Sequence, residues 1–235
     1  MMTGIRSLLF AFIFIFPQGA FAKSYSPYYA DACSWNTFNV SYKLNRQYTL
    51  LFTEELRFRE NYSRLNLFYT NLGLEYRISR YFKTSLVYRW IDKYTDENRF
   101  SFRHRLMWDV GAKYPMRKWG VSYRHRLQTE VRNVYSSNDG GVAEWYSRNK
   151  VELSYKFNTQ WTAYVSDEMR FQLSDPRAIE SDLTWHRDRY AAGIEYDYSS
   201  KSKFGIYYLI QREYNVSMPE NLYVTGLEYS LSLGR

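Results

Sequence analysis

Two long segments of the chain alternate apolar and polar residues with a period of two. In residues 100–111 the even positions are mostly apolar or aromatic, whereas the odd positions include Arg103 and Arg105. In residues 119–132 the odd positions form the apolar set. Because successive side chains of a β-strand point to opposite faces, each segment predicts a strand with one apolar and one charged face.

Such strands suit either a soluble sandwich or a transmembrane barrel, and the composition favours the barrel. Aromatic residues make up 20% of the 235 residues, with 25 Tyr, although mean hydropathy is only −0.57. Tyr and Trp collect at the two surfaces of a membrane, and barrel strands place apolar residues towards lipid and polar residues towards the lumen. We therefore expect an all-β, antiparallel transmembrane β-barrel.

The N-terminal residues predict export. Arg6 precedes an apolar run at 8–16, and Ala-Phe-Ala at 20–22 has the small-x-small form that signal peptidases cut. This pattern is typical of a secretory signal peptide and is too short to remain as a membrane anchor. We predict a cleaved signal peptide at 1–22 and a single barrel domain at 23–235, in the outer membrane of a Gram-negative bacterium.

A four-residue repeat predicts the topology. Gly-x-x-Tyr occurs at 73–76, 111–114, 193–196 and 226–229, with looser copies at 39–42 and 152–155. All but the last copy precede a short turn, and the connections on the other side are longer and more polar. Short turns of outer-membrane barrels lie in the periplasm. The repeat thus marks six strands that run towards the periplasm, with each Tyr in an aromatic girdle and each inward Gly leaving room for a neighbouring side chain.

Five strands in the opposite direction begin near Gln47, Arg80, Lys118, Gln160 and Ser202. Because bacterial barrels close with an even number of strands, a twelfth strand is expected, and residues 24–32 are the candidate despite Pro27. Twelve strands is our prediction. The alternative is ten, with residues 35–44 displaced from the wall.

A longer repeat relates residues 40–58 to residues 153–171, so one hairpin occurs twice. Each copy contains paired acids, Glu54 with Glu55 and Asp167 with Glu168, followed by an Arg. In strict alternation Glu54 and Asp167 would face lipid, which is costly. We expect a β-bulge that turns them inward, or a position near the outer interface.

The strand register predicts the inner and outer faces of the barrel. The predicted lumen and solute-binding residues are Arg57, Arg59, Arg89, Arg103, Arg105, Arg124, Arg126, Arg170, Glu55, Asp109, Glu130 and Glu168. The same register points Arg132, Lys150, Arg187, Arg189 and Glu213 inward. The predicted membrane girdle is Tyr48, Tyr76, Phe82, Trp90, Tyr114, Trp119, Tyr155, Trp161, Tyr196, Phe204 and Tyr229. A tight turn at 115–118 would set Asp109 opposite Arg124, and Arg103 opposite Glu130.

Three functions fit this lumen. In the first, excess Arg lines a narrow channel that favours small anionic solutes, as in a porin. In the second, the charges pair and plug a structural or binding barrel without conductance. The third is an outer-membrane lipid-modifying enzyme, for which His104, His125 and His186 on the apolar face are the only histidines. We favour the channel over the plugged barrel, although twelve strands lie between small barrels that side chains fill and larger ones that leave a channel. The enzyme comes last, because no nucleophile motif accompanies these histidines and no catalytic residue can be assigned.

Other partners follow from the charge and the setting. The net charge is +8, but an exported chain with apolar strand faces argues against nucleic acid. We expect contacts with outer-membrane lipid, lipopolysaccharide and the barrel assembly machinery, and we expect no cofactor and no metal. The lone Cys33 excludes an internal disulfide, and a free surface thiol is the simplest interpretation.

Several of these motifs resemble a known family. They are Trp35, Tyr-Lys-Leu-Asn at 42–45, Glu-Leu-Arg at 55–57, Gly-Leu-Glu-Tyr-Arg at 73–77, Tyr-Arg-Trp at 88–90 and Tyr-Arg-His-Arg-Leu-Gln at 123–128. Together they are similar to an uncharacterised family of outer-membrane β-barrels catalogued as domain of unknown function 2490. The resemblance covers the mature chain and implies the fold but no catalytic residues. One departure is the end at 231–235, which lacks the terminal aromatic that such barrels often carry.

Overall fold

The chain folds into a closed β-barrel. The computed structural model describes residues 29–94, 100–132, 142–174, 184–216 and 219–234, so the predicted signal peptide at 1–22 lies outside the described residues. The strands are β1 (Tyr29–Lys43), β2 (Tyr48–Arg59), β3 (Arg64–Arg77), β4 (Phe82–Tyr94), β5 (Phe100–Met116), β6 (Trp119–Arg132), β7 (Glu144–Lys156), β8 (Trp161–Ser174), β9 (Thr184–Asp197), β10 (Ser202–Glu213) and β11 (Glu220–Gly234). Over the same residues, no helix has the length and apolar character needed to cross a membrane.

Eleven described strands close the barrel, and this corrects the predicted number of twelve and its alternative of ten. Consecutive strands pair antiparallel, but β1 pairs directly with β11 in parallel, from Tyr29 opposite Glu220 to Lys43 opposite Gly234. The barrel is therefore mixed, and the prediction of a wholly antiparallel barrel is wrong at this pair of strands. The six repeat-bearing strands and the five opposing strands are confirmed. The expected twelfth strand at 24–32 is wrong as a wall strand, because residues 29–32 extend β1 itself and the β1–β11 pairing, which we call the seam, already closes the barrel. Residues 24–28 lie outside the described residues.

Four of the five short turns share one local mechanism. At one end of the barrel, four-residue turns at 44–47, 78–81, 157–160 and 198–201 link successive strands. In each, a single side-chain oxygen accepts hydrogen bonds from two backbone N–H groups two and three residues later. These acceptors are Asn45, Ser79, Asn158 and Ser199. Asn and Ser favour turns for this reason, so the sequence itself specifies the tight end.

Glycines on the inner face accommodate bulky neighbours, as the repeat predicts. A Cβ atom at Gly226 would lie 2.0 Å from the ring of Tyr207, and one at Gly193 would lie 2.7 Å from the ring of Tyr164. In both cases the Tyr is directly opposite on the adjacent strand. Only a residue without a Cβ leaves space for these two rings inside the barrel.

The duplicated hairpin carries a duplicated bulge, but not where we expect one. The register of β2 against β3 shifts between Arg57 and Phe58, and that of β8 against β9 shifts between Arg170 and Phe171. The two positions are equivalent in the repeat. Each bulge leaves one unpaired residue in the following strand, Asn66 or His186, and both residues line the interior.

The expected bulge at the paired acids is wrong, because alternation continues past them. Glu54 lies opposite Phe38 and Thr70 on the outer face, and the Thr70 hydroxyl donates a 2.7 Å hydrogen bond to it. Asp167 lies opposite Tyr190, also outside. Glu54 thus stays on the outer face, where the hydrogen bond from the neighbouring strand stabilises its carboxylate.

A carboxylate of β1 binds the β2–β3 turn at the end opposite the short turns. The turn at 60–63 has three residues in the left-handed region, Glu60, Asn61 and Tyr62. Asp31 of β1 accepts the N–H groups of Glu60 and Asn61 at 2.9 and 3.2 Å and lies 3.5 Å from Arg59. These bonds offset the backbone strain and join β1 to the β2–β3 turn.

Cys33 is buried, which corrects the expected surface thiol. It packs with Trp35, Leu209, Leu222 and Val224 in an apolar cluster on the inner side of the seam. The odd residues of β1 face inward, and Cys33 follows that alternation. The parallel pairing of β1 with β11 places Val224 directly opposite Cys33 and so brings these side chains around it.

Candidate functional site: a basic barrel lumen

The interior of the barrel contains a cavity of about 690 Å³. Its walls are the inward-facing positions of the strands, as the period-two pattern requires. Among the described residues, twelve arginines and two lysines line it against seven glutamates. The cations are Arg57, Arg59, Arg89, Lys93, Arg103, Arg105, Arg124, Arg126, Arg132, Arg148, Lys150, Arg170, Arg187 and Arg189. The lumen is therefore strongly basic.

The structure brings the predicted lumen residues together. All eight predicted arginines line the cavity, as do Glu55, Glu130 and Glu168. Asp109 also faces inward, where Arg126 donates two 2.6 Å hydrogen bonds to it. The placement agrees with the prediction, and the binding of a solute by these residues stays a prediction.

The predicted register of β5 against β6 is wrong by two residues. Asp109 lies opposite Arg126 rather than Arg124, and Glu130 lies opposite Arg105. The cause is the turn, because Met116 pairs with Trp119 and leaves only two residues in the loop. Since a shift of two preserves the face, both carboxylates remain inside, and Arg103 still reaches Glu130 diagonally at 3.3 Å.

Glu168 is the centre of the ion-pair network. It is 6% exposed and contacts Arg124, Arg148 and Arg189, which come from β6, β7 and β9. Arg148 is absent from the sequence-based list of inward residues. It precedes Lys150 by two positions, so alternation alone could have identified it.

Most other ion pairs run along the wall between neighbouring strands. Arg126 pairs with Asp109 and Arg105 with Glu130, each across the β5–β6 pair. At the end opposite the short turns, Arg132 contacts Glu144 across β6 and β7 at 2.7 Å, and Arg187 contacts Glu213 across β9 and β10. These pairs neutralise many charges while leaving open space between the walls.

Aromatic rings inside the lumen hold further arginines. The guanidinium of Arg57 lies 3.7 Å from the centroid of the Trp35 ring and also pairs with Glu55 at 2.5 Å. The guanidinium of Arg89 lies 3.5 Å from the centroid of the Tyr69 ring and donates to Asn71 at 2.7 Å. Cation–π contacts of this kind orient an arginine without neutralising it.

The predicted girdle residues lie on the outer face, most of them at the short-turn end. Eight of the predicted residues form four pairs across adjacent strands, with ring centroids 4.6–5.0 Å apart. They are Tyr48 with Tyr76, Trp119 with Tyr155, Trp161 with Tyr196, and Phe204 with Tyr229. Tyr114 stacks with Tyr81, and Phe82 is 51% exposed. Trp90 instead contacts Phe102 nearer the opposite end.

Two of the three histidines lie on the outer face as predicted. His104 is hydrogen-bonded to Tyr88 at 2.6 Å, and His125 to Asn149 at 2.9 Å. The outward placement of His186 is wrong. The bulge in β9 turns it into the lumen, where its Nδ1 accepts a 2.6 Å hydrogen bond from Arg170.

One family model matches this chain over residues 33–221, and its description is protein of unknown function, DUF2490. The chain belongs to the DUF2490 family. The DUF2490 match begins within β1 and ends at the second residue of β11, so it includes β2 to β10 and all the arginines that line the lumen. It confirms the resemblance found in the sequence. No curated protein matches the chain.

Proposed function

We propose that this DUF2490 protein is an outer-membrane channel that favours small anionic solutes. The observation that carries the proposal is the excess of cations, fourteen against seven glutamates, around one interior cavity. Rings of Arg and Lys make a pore attractive to anions. The guanidinium group also matches the bidentate geometry of carboxylate and phosphate.

The outer face supports a membrane location. Large apolar side chains that the fold leaves exposed include Leu72, Leu86, Leu106 and Trp108, each at least 46% exposed. An apolar surface of this extent on a closed barrel is expected to contact hydrocarbon. Together with the N-terminal export pattern, it favours insertion in the outer membrane of a Gram-negative bacterium.

The arrangement of the ion pairs supports an open lumen. A plug would need charges paired across the cavity, whereas the pairs at Asp109, Glu130 and Glu213 join neighbouring strands of the wall. A non-conducting binding barrel is the second candidate, and Glu168 favours it. This residue ties arginines from three strands together on the wall of the lumen.

The reversal potential of single channels in planar bilayers under a KCl gradient tests the proposal. We expect a current whose reversal potential has the sign of chloride preference. The double variant Arg89→Gln with Lys93→Gln removes two lumenal cations that have no carboxylate within ion-pair distance among the described residues, so it should shift the reversal potential towards zero.

The matched control is Arg212→Gln, which removes a cation from an exposed position on the outer face, opposite Asp188. It should leave the reversal potential unchanged. Cation-selective current would contradict the proposal, and a folded protein that carries no current would favour the binding barrel.

A further inference from the structure

Four arginines stand side by side on the inner wall. Arg126, Arg148, Arg170 and Arg187 lie directly opposite one another on the adjacent strands β6, β7, β8 and β9, and we call this set the arginine ladder. Like charges directly opposite each other destabilise a sheet, so each arginine of the arginine ladder needs a counter-charge.

Three members of the arginine ladder have a counter-charge within the protein. Arg126 contacts Asp109, Arg148 contacts Glu168, and Arg187 contacts Glu213. Arg170 differs, because no carboxylate of the described residues lies within ion-pair distance of it.

The contacts of Arg170 hold its guanidinium in place without cancelling its charge. The guanidinium lies 4.4 Å from the centroid of the Tyr146 ring, and it donates to His186. Its Nε is buried and has no hydrogen-bond partner among the described residues. A buried donor left in this state costs free energy, and an added acceptor would recover it.

The repeated hairpin offers a direct comparison for the unpaired charge of Arg170. Arg57 occupies the equivalent position in the first copy and pairs with Glu55 at 2.5 Å. In the second copy the equivalent carboxylate, Glu168, is engaged by three other arginines. Among the described residues, the arginine at this position thus pairs with a carboxylate in one copy and with none in the other.

We propose that Arg170 is the centre of a binding site for a small polyanion with carboxylate or phosphate groups. The proposal rests on the proposed function, because it assigns the class of solute that the basic lumen receives. Arg148, next to Arg170, shares the single carboxylate of Glu168 with Arg124 and Arg189, so a net positive charge remains beside Arg170. This excess favours a ligand with at least two negative charges over chloride. A guanidinium donates two parallel hydrogen bonds to one oxyanion group, which chloride cannot accept.

Isothermal titration calorimetry on the folded protein in a non-ionic detergent tests the site, with citrate and inorganic phosphate as separate probes. We expect saturable binding of at least one probe, and which one binds separates the carboxylate source from the phosphate source. Arg170→Gln should weaken binding at least about tenfold, since hydrogen bonds to charged groups are the strong ones. Arg170→Lys keeps the charge but loses the two parallel N–H donors of the guanidinium. Its affinity for the probe should lie between those of the wild type and Arg170→Gln.

Arg57→Gln is the matched variant, because it removes the same charge from the equivalent position of the other hairpin copy. It reduces the general field of the lumen, so its effect on binding should be well below that of Arg170→Gln. Heat-dependent migration on gels verifies that each variant is folded. If Arg170→Gln and Arg57→Gln reduce the affinity for the probe equally, the proposed site is refuted, and binding depends only on the overall positive charge of the lumen.

The site and the channel fail in different ways. If neither probe binds the wild-type protein while anion-selective current persists, the site is refuted and the proposed function stands. If a probe binds through Arg170 but no current flows, the site stands and the channel is refuted.

Discussion

At the scale of single residues, the interior combines tight packing with buried charge. The rings of Tyr164 and Tyr207 lie over glycines, and Glu168 gathers three arginines. The sequence predicts that the inward glycines leave space for a neighbouring side chain, but it does not predict which side chain occupies that space. That choice depends on rotamers and on cross-strand register, which local sequence does not encode.

Replacing Gly226 should destabilise the barrel, because the new Cβ would lie 2.0 Å from the ring of Tyr207 and would force it to move. We expect Gly226→Ala to cost about 1–3 kcal/mol in unfolding free energy, as overpacked interiors do. Urea unfolding followed by tryptophan fluorescence in lipid vesicles measures it.

The matched control is Gly111→Ala, whose Cβ would meet Lys83 at an ordinary 3.5 Å. The unfolding free energy of this variant should be close to that of the wild type. Equal effects of the two substitutions would show that Tyr207 does not occupy the space above Gly226.

Glu168→Gln should also destabilise the folded state, because it removes a buried carboxylate that three arginines share. Breaking a buried ion pair by removing one partner costs about 3–5 kcal/mol. The same unfolding measurement applies, with Glu152→Gln as the comparison. Glu152 pairs with Lys150 in a more exposed setting, where an ion pair contributes about 0–1 kcal/mol. A smaller loss for Glu168→Gln than for Glu152→Gln would contradict the central role of Glu168.

At the scale of strands, the sequence predicts the elements well and their pairing less well. Period-two alternation and the Gly-x-x-Tyr repeat locate all eleven strands, and the duplicated hairpin is real. The register of β5 against β6 is wrong by two because the tightness of a turn depends on a few backbone angles. The bulge that turns His186 inward leaves no mark in the hydrophobic pattern, so the lumenal histidine could not be foreseen.

The parallel seam can be tested by a disulfide. Ser34 of β1 and Thr225 of β11 lie directly opposite each other on the outer face. In a Cys33→Ser background, Ser34→Cys with Thr225→Cys should form a bond on mild oxidation, since directly paired strand residues lie within bridging distance. The bond should appear as a mobility shift on non-reducing gels.

The control pair is Ser34→Cys with Tyr208→Cys, because Tyr208 lies on β10, one strand further away. A bond in the control pair, or none in the seam pair, would mean that β1 and β11 are not neighbours.

At the scale of the whole molecule, an odd number of strands separates the two ends of the described chain. β1 and β11 run in the same direction, so Tyr29 and Gly234 lie at opposite ends of the barrel. The even number expected from bacterial barrels would place both ends on one side. Closure is a long-range property, which explains why a count based on local patterns and a general rule failed here.

This separation predicts the sidedness of the chain in cells. A protease-cleavable tag inserted immediately before Tyr29 should be cut in intact cells, because β1 begins at the end opposite the short turns. A tag placed after Gly234 should be protected until the outer membrane is opened. Immunoblotting after protease treatment measures both, and protection of both tags in intact cells would contradict the eleven-strand topology.

The central claim is that the outer face meets lipid while the inner face encloses a charged lumen. Trp108 is 52% exposed on the outer face, and Trp35 is 5% exposed inside. The most direct test is fluorescence quenching by brominated acyl chains in vesicles, using two variants that retain only Trp108 or only Trp35, with Phe at the other Trp positions. We predict strong quenching of Trp108 and little quenching of Trp35, and equal quenching of the two would contradict the claim.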